Sequence, residues 1–133
     1  MLRVLALAAA GLATLIFATA GNTAPSPVTL RADLAEWSIV PSSGAVRAGE
    51  VRLVARNLGF ERHELILVRT RSFAAILPLQ GSRARATALA PRIVLAPGQS
   101  KAVTVHLAPG SYELVDNLPW HYWHGTHAAF VVR

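Results

Sequence analysis

The 133-residue sequence has no cysteine. That excludes a disulfide framework and removes the thiolate, the soft ligand of many metal and redox sites. The single methionine is Met1, so no thioether is available further along the chain. Lysine is nearly absent as well. Twelve of the thirteen basic residues are arginine, and with seven acidic residues the formal net charge is +6. The arginines are scattered, with only Arg69, Arg71, Arg83 and Arg85 loosely grouped. No basic run is interleaved with aromatics, which argues against nucleic-acid binding. A basic surface of this kind either meets anionic lipid, cell-wall polymer or an acidic partner, or is plain solvated surface. No G-x-S-x-G elbow, zincin motif or phosphate-cradling loop occurs, so the chain is not expected to be an enzyme.

The N-terminus reads as a secretory signal peptide over residues 1–20. Arg3 supplies a short positive region, Val4 to Phe17 is apolar, and Ala18-Thr19-Ala20 is an A-x-A-type cleavage site. An anchor helix is the alternative; the stretch is slightly short for a span and lacks a basic flank after it. Residues 21–27 form a polar, proline-bearing lead-in, flexible once cleavage has occurred. Residues 28–133 remain as the domain, within a cleaved chain of roughly 110 residues, enough for one core. The expected location is the periplasm or outside the cell, with no membrane span after cleavage.

Beyond residue 27 the patterns are those of strands. Val28 to Leu34 alternates apolar and polar residues, and Trp37 to Val40 is read as its continuation. Val51, Leu53 and Ala55 alternate with Arg52, Val54 and Arg56 before Asn57-Leu58-Gly59 closes that strand. Leu65-Ile66-Leu67-Val68 is a dense apolar run, the pattern of a central strand buried on both faces. Residues 71–92 are the least regular. Strands return at Ile93–Leu95, Lys101–Leu107, Ser111–Val115 and His127–Arg133, punctuated by Pro-Gly turns at 97–98 and 109–110. Seven or eight short strands with such turns predict an all-β sandwich or barrel.

The chemistry-bearing residues concentrate near the C-terminus. His121, His124 and His127 place three imidazoles in seven residues, a type of donor that suits Cu(II), zinc or nickel. Asp116 precedes them, Trp120, Tyr122 and Trp123 surround His121, and His63 lies far upstream. Plainer roles compete. His63 is placed for a local bond to Glu61 or Glu64, Asp116 for a strand-end Asx cap, and the aromatics for capping the core. His106 sits alone on an alternating strand and is read as an exposed residue.

Several separated segments occur in one order: Trp37-Ser38-x-x-Pro41; Val46-x-Ala48-Gly49-Glu50-Val51-x-Leu53; Asn57-x-Gly59-x-x-x-His63-Glu64-Leu65; Leu95-Ala96-Pro97-Gly98; Leu107-Ala108-Pro109-Gly110-Ser111-Tyr112-Glu113-Leu114; and Asn117-Leu118-Pro119-x-His121-Tyr122-x-x-Gly125. This set resembles the small periplasmic cupredoxins related to plastocyanin and azurin, over Val28 to Arg133. The resemblance implies a Greek-key β-sandwich with a copper site at one end, its late ligands spaced Cys-x4-His-x4-Met. His63 and His121 then match the two histidine ligands. Asp116 falls on the cysteine position and Thr126 on the methionine position. A carboxylate cannot stabilise Cu(I) as a thiolate does, so the implied site, His63, Asp116 and His121, favours Cu(II) or zinc and disfavours fast electron transfer. His124, Thr126 and His127 are weaker candidate ligands. The resemblance also implies that Trp120 stands where the loop usually has glycine, and that the Trp120/Tyr122/Trp123 end docks a periplasmic partner. Two functions follow: a metal carrier, buffer or sensor, or a metal-free binding module that uses the aromatic loop.

Overall fold

The computed structural model describes Gly21 and residues 23–133. The signal peptide reading therefore lies outside the described residues. Thr23 to Pro27 is exposed and without regular structure, and the first strand starts at Val28, where alternation begins.

The described residues form eleven strands: β1 (Val28–Ala35), β2 (Ser38–Pro41), β3 (Ala45–Val46), β4 (Gly49–Asn57), β5 (His63–Thr70), β6 (Leu79–Gln80), β7 (Arg83–Ala84), β8 (Ile93–Leu95), β9 (Ser100–Leu107), β10 (Gly110–Asp116) and β11 (His127–Val132). Eight of them are three residues or longer, which matches the expected strand content. One sheet has the order β2-β1-β4-β9 and the other β3-β11-β10-β5-β8, with β6 and β7 as a separate hairpin. The two larger sheets pack face to face as the predicted sandwich.

One reading needs correction. Trp37 to Val40 does not continue β1. The chain reverses at Glu36-Trp37, and β2 returns antiparallel with Ala35 opposite Ser38. The local pattern carried no Gly or Pro at that point to mark the turn. Trp37 takes the left-handed conformation instead, at φ 63°.

The core follows the alternation. Leu30, Ala32 and Leu34 of β1 and Val51, Leu53 and Ala55 of β4 turn inward, against Leu65 and Leu67 of β5, Tyr112 and Leu114 of β10, and Phe130 and Val132 of β11. The Tyr112 and Phe130 rings stack at 5.6 Å, and the Tyr112 hydroxyl donates to the Ala108 carbonyl at 2.6 Å. β5 is buried on both faces as expected. Its other face, with Ile66 and Val68, packs under Val115, Ala84 and Tyr122. The segment 71–92, folded back with its β6–β7 hairpin, supplies that second cover.

These directions define two poles. His63 opens β5 and Asp116 closes β10 at one pole, where Leu65 lies opposite Asp116. Thr70 and Ser111 pair at the other. β1 runs parallel to β4, with Val28 opposite Val51 and Leu34 opposite Asn57, so Val28 sits at the pole away from His63.

Candidate metal centre

Strand parity builds the site. Counting in twos along β5 from the inward-facing Leu67 and Leu65 reaches His63. Counting along β10 from Tyr112 and Leu114 reaches Asp116. Both side chains therefore point between the sheets, and both are fully buried. His121 comes from the following loop, its side chain 12% exposed.

The loop is fastened by its own backbone. Leu118 accepts the His121 amide at 3.1 Å, His121 accepts the Thr126 amide at 3.1 Å, and Thr126 accepts the Asp116 amide at 3.0 Å. Gly125 has φ 99°, a conformation that favours glycine. Trp120 has φ 68°, which explains why a glycine suits that position; a tryptophan there stores about 1 kcal/mol of strain. The Trp120 amide is anchored on the Ser82 carbonyl at 2.7 Å, which ties the loop to the β6–β7 hairpin.

Asp116 is the hub. Its Oδ1 accepts the Glu64 amide at 3.1 Å and the Leu118 amide at 3.2 Å. The Asx-cap role and the site role thus coexist in one side chain. Its Oδ2 faces both imidazoles, at 2.5 Å from His63 Nδ1 and 2.7 Å from His121 Nδ1. The two rings stand edge to face with centroids 5.6 Å apart. One ligand atom from each of His63, Asp116 and His121 lies within 4.8 Å of the others.

His63 does not bond locally to Glu61 or Glu64. Its Nε2 is buried without a hydrogen-bond partner, and the group facing it is Glu36, whose Oε1 is 3.6 Å away. Glu36 accepts the amides of Glu61 at 2.9 Å and Phe60 at 2.7 Å. The Glu61 amide above all, with Glu36's own amide, the Phe60 amide and the nearby His63, holds this carboxyl below its ordinary range. Gly59 makes room for it, since a Cβ there would collide with the Glu36 carboxylate. Sequence reasoning missed Glu36, because it belongs to the unrecognised turn between β1 and β2.

The remaining candidates separate. Thr126 is fully buried at the end of the loop, with no partner for its Oγ1. His124 is exposed and lies over Trp37, with ring centroids 4.6 Å apart. His127 pairs with Val115, so it points to the outer face of its sheet. There its Nδ1 is 2.6 Å from Oε1 of the buried Glu113, beside the Tyr122 ring. Of the three loop aromatics, Tyr122 is buried and accepts the Leu77 amide at 2.9 Å through its hydroxyl. That burial pushes its phenol up. Trp120 and Trp123 are exposed and share this pole with exposed Trp37, Leu58 and Phe60. His106 is exposed beside Glu50, as expected.

The donor set fits a divalent metal. Two imidazoles and one carboxylate converge, and a metal on His63 Nδ1 would leave the ring proton on Nε2, which faces the Glu36 carboxylate. The N–O separations here are hydrogen-bond lengths. An ion held by all three residues would need Asp116 Oδ2 to draw back from both rings.

Two sheets packed around this end-on His-Asp-His cluster define a cupredoxin fold, with Asp116 and Thr126 at the cysteine and methionine positions of the family pattern. Solved structures bear out the fold. A dithionite-reduced auracyanin from Roseiflexus castenholzii superposes with a TM-score of 0.59 at 18% identity, over 82% of this chain and 99% of that one. Auracyanin A, a "blue" copper protein from Chloroflexus aurantiacus, gives 0.57 at 21% identity, over 81% and 100%. Rusticyanin from Thiobacillus ferrooxidans gives 0.60 at 16% identity, over 81% and 79%. No family model and no curated protein matches the chain.

Proposed function

We propose that this protein binds one divalent metal ion, copper(II) or zinc, through His63 Nδ1, Asp116 Oδ2 and His121 Nδ1, and serves to carry, buffer or sense it. The observation that carries this reading is the convergence of the three ligand atoms on one point of a cupredoxin sandwich. The bound ion supplies Lewis acidity and charge. It does not supply the copper–thiolate bond, because a hard carboxylate stands where a thiolate would be. Fast electron transfer is accordingly not proposed, nor is catalysis.

The chain's own residues divide the work. Asp116 brings the negative charge, and the Glu64 and Leu118 amides fix its direction. His63 is held from behind by Glu36. His121, the least buried of the three, is the side through which an ion or a partner reaches the site. An imidazolium cannot ligate through a protonated nitrogen, so acid weakens binding. Export, by way of the residue 1–20 segment, belongs to the same proposal.

Titration of metal-free protein with Cu(II), followed by electron paramagnetic resonance, tests the proposal. One saturable site that disappears in Asp116→Asn and His121→Ala supports it; absence of any saturable site ends it. The second reading, a metal-free module docking a periplasmic protein, rests on the exposed Trp37, Phe60, Trp120 and Trp123 around His121.

A further inference from the structure

A cleft of about 560 Å³ starts beside the end of β5 away from His63, and its lining includes Arg69, Arg71 and Arg85. Its other lining residues include Ile76, Leu77 and Leu89, and none is acidic. Arg69 is fixed in place. Its guanidinium donates to the Pro109 carbonyl at 3.0 Å, lies 5.7 Å over the Tyr112 ring, and fills space that a side chain at Gly110 would take. Arg71 and Arg85 make no side-chain hydrogen bond or ion pair among the described residues, whereas Arg83 and Arg92 are both spent on Glu64. Beside these charges the irregular loop 71–78 exposes Ile76 at 91% and Phe73 at 60%. Large side chains this exposed have no packing role within the domain.

We infer that this pole docks on an anionic lipid bilayer. Ile76 and Phe73 enter the headgroup region, and Arg69, Arg71 and Arg85 meet lipid phosphates. Apolar side chains on an irregular loop, beside arginines that make no ion pair among the described residues, suit a fluid interface that needs no fixed complementary shape. Docking in this way turns the metal centre away from the membrane. The strand β5 sets the separation of the poles at about 23 Å for eight residues.

The absence of cysteine permits a direct test on the protein as exported, without residues 1–20. Ile76→Cys and, at the metal pole, Phe60→Cys each provide one labelling site for an environment-sensitive fluorophore. With vesicles containing phosphatidylglycerol the label at 76 should shift to the blue and the label at 60 should not. Phosphatidylcholine vesicles should give neither response, and salt should weaken the first. Adding Arg71→Glu and Arg85→Glu should lower partitioning by at least about 25-fold, at roughly fivefold per arginine charge removed. These surface changes should leave the far-ultraviolet circular dichroism unchanged. An unresponsive label at 76, an equal response to both lipids, or a response only at 60 overturns the inference. A shift at 76 with polyglutamate but not with anionic vesicles overturns it in favour of an acidic protein partner.

Discussion

At the scale of the residue, one carboxylate decides the chemistry. Asp116 holds four groups at once: two backbone amides on Oδ1 and two imidazoles on Oδ2. Truncation to alanine strands those groups in a buried site and should lower stability by about 3 kcal/mol in chemical denaturation. Asp116→Cys is the more telling change. It places a thiolate between two imidazoles, and Cu(II) addition should then produce the intense blue absorption that the natural protein lacks. A colourless Cu(II) adduct of a folded Asp116→Cys protein counts against the geometry described here. Glu36 makes a separate prediction. Its folded carboxyl is held below its unfolded range, so its contribution to stability is fully present above the unfolded value and is lost as pH falls through the lowered folded one. The stability gap between the natural protein and Glu36→Gln, measured by urea unfolding across pH, should close in acid. The resemblance to the cupredoxin pattern pointed to Asp116 and His121 in the late loop, and to His63 after Asn57 and Gly59. Glu36 was not, because its role depends on a hairpin between β1 and β2 that no turn residue announces.

At the scale of the element, alternation fixed the sandwich and parity fixed the site. His63 and Asp116 face each other because each lies an even number of residues from core positions on paired strands. A one-residue slip of β10 against β5 would turn Asp116 outward. The same rule sends His127 to the outer face, so the three-histidine cluster that looks compact in sequence is divided in space. The dense run in β5 announced burial on both faces, but not what covers the second face. That cover is the irregular segment 71–92, whose short hairpin had no periodic signal to reveal it. Asn117 fastens it: its amide side chain accepts the Ala84 amide at 2.8 Å and donates to the Ala84 carbonyl at 3.2 Å. Arg83 reaches back to the Asn117 carbonyl and to Glu64 Oε1. Asn117→Ala should therefore speed amide hydrogen exchange across residues 79–86 and around Trp120, while β1 and β4 keep their protection. Uniform exchange across the whole chain in that variant would show that the hairpin is not a separate unit.

At the scale of the molecule, the sandwich holds two features apart by its own length: a buried His-Asp-His cluster at one pole and an arginine and apolar cleft towards the other. Overall charge and the loose arginine grouping hinted at the second, but only the folded chain shows which arginines are already paired. A ligand held by the native site alone must stabilise the whole domain. A metal at 100 times its dissociation constant adds about 2.7 kcal/mol, which for a domain near 100 residues raises Tm by roughly 10–20 °C. Asp116→Asn should remove that rise, and His124→Ala and His127→Ala should keep it. The central claim, one metal held by His63, Asp116 and His121, is tested most directly by a Cu(II) titration read by electron paramagnetic resonance. The account predicts a single saturable signal at one equivalent, split by two imidazole nitrogens and lost in His121→Ala. A signal that never saturates, or one that His121→Ala leaves unchanged, would contradict it.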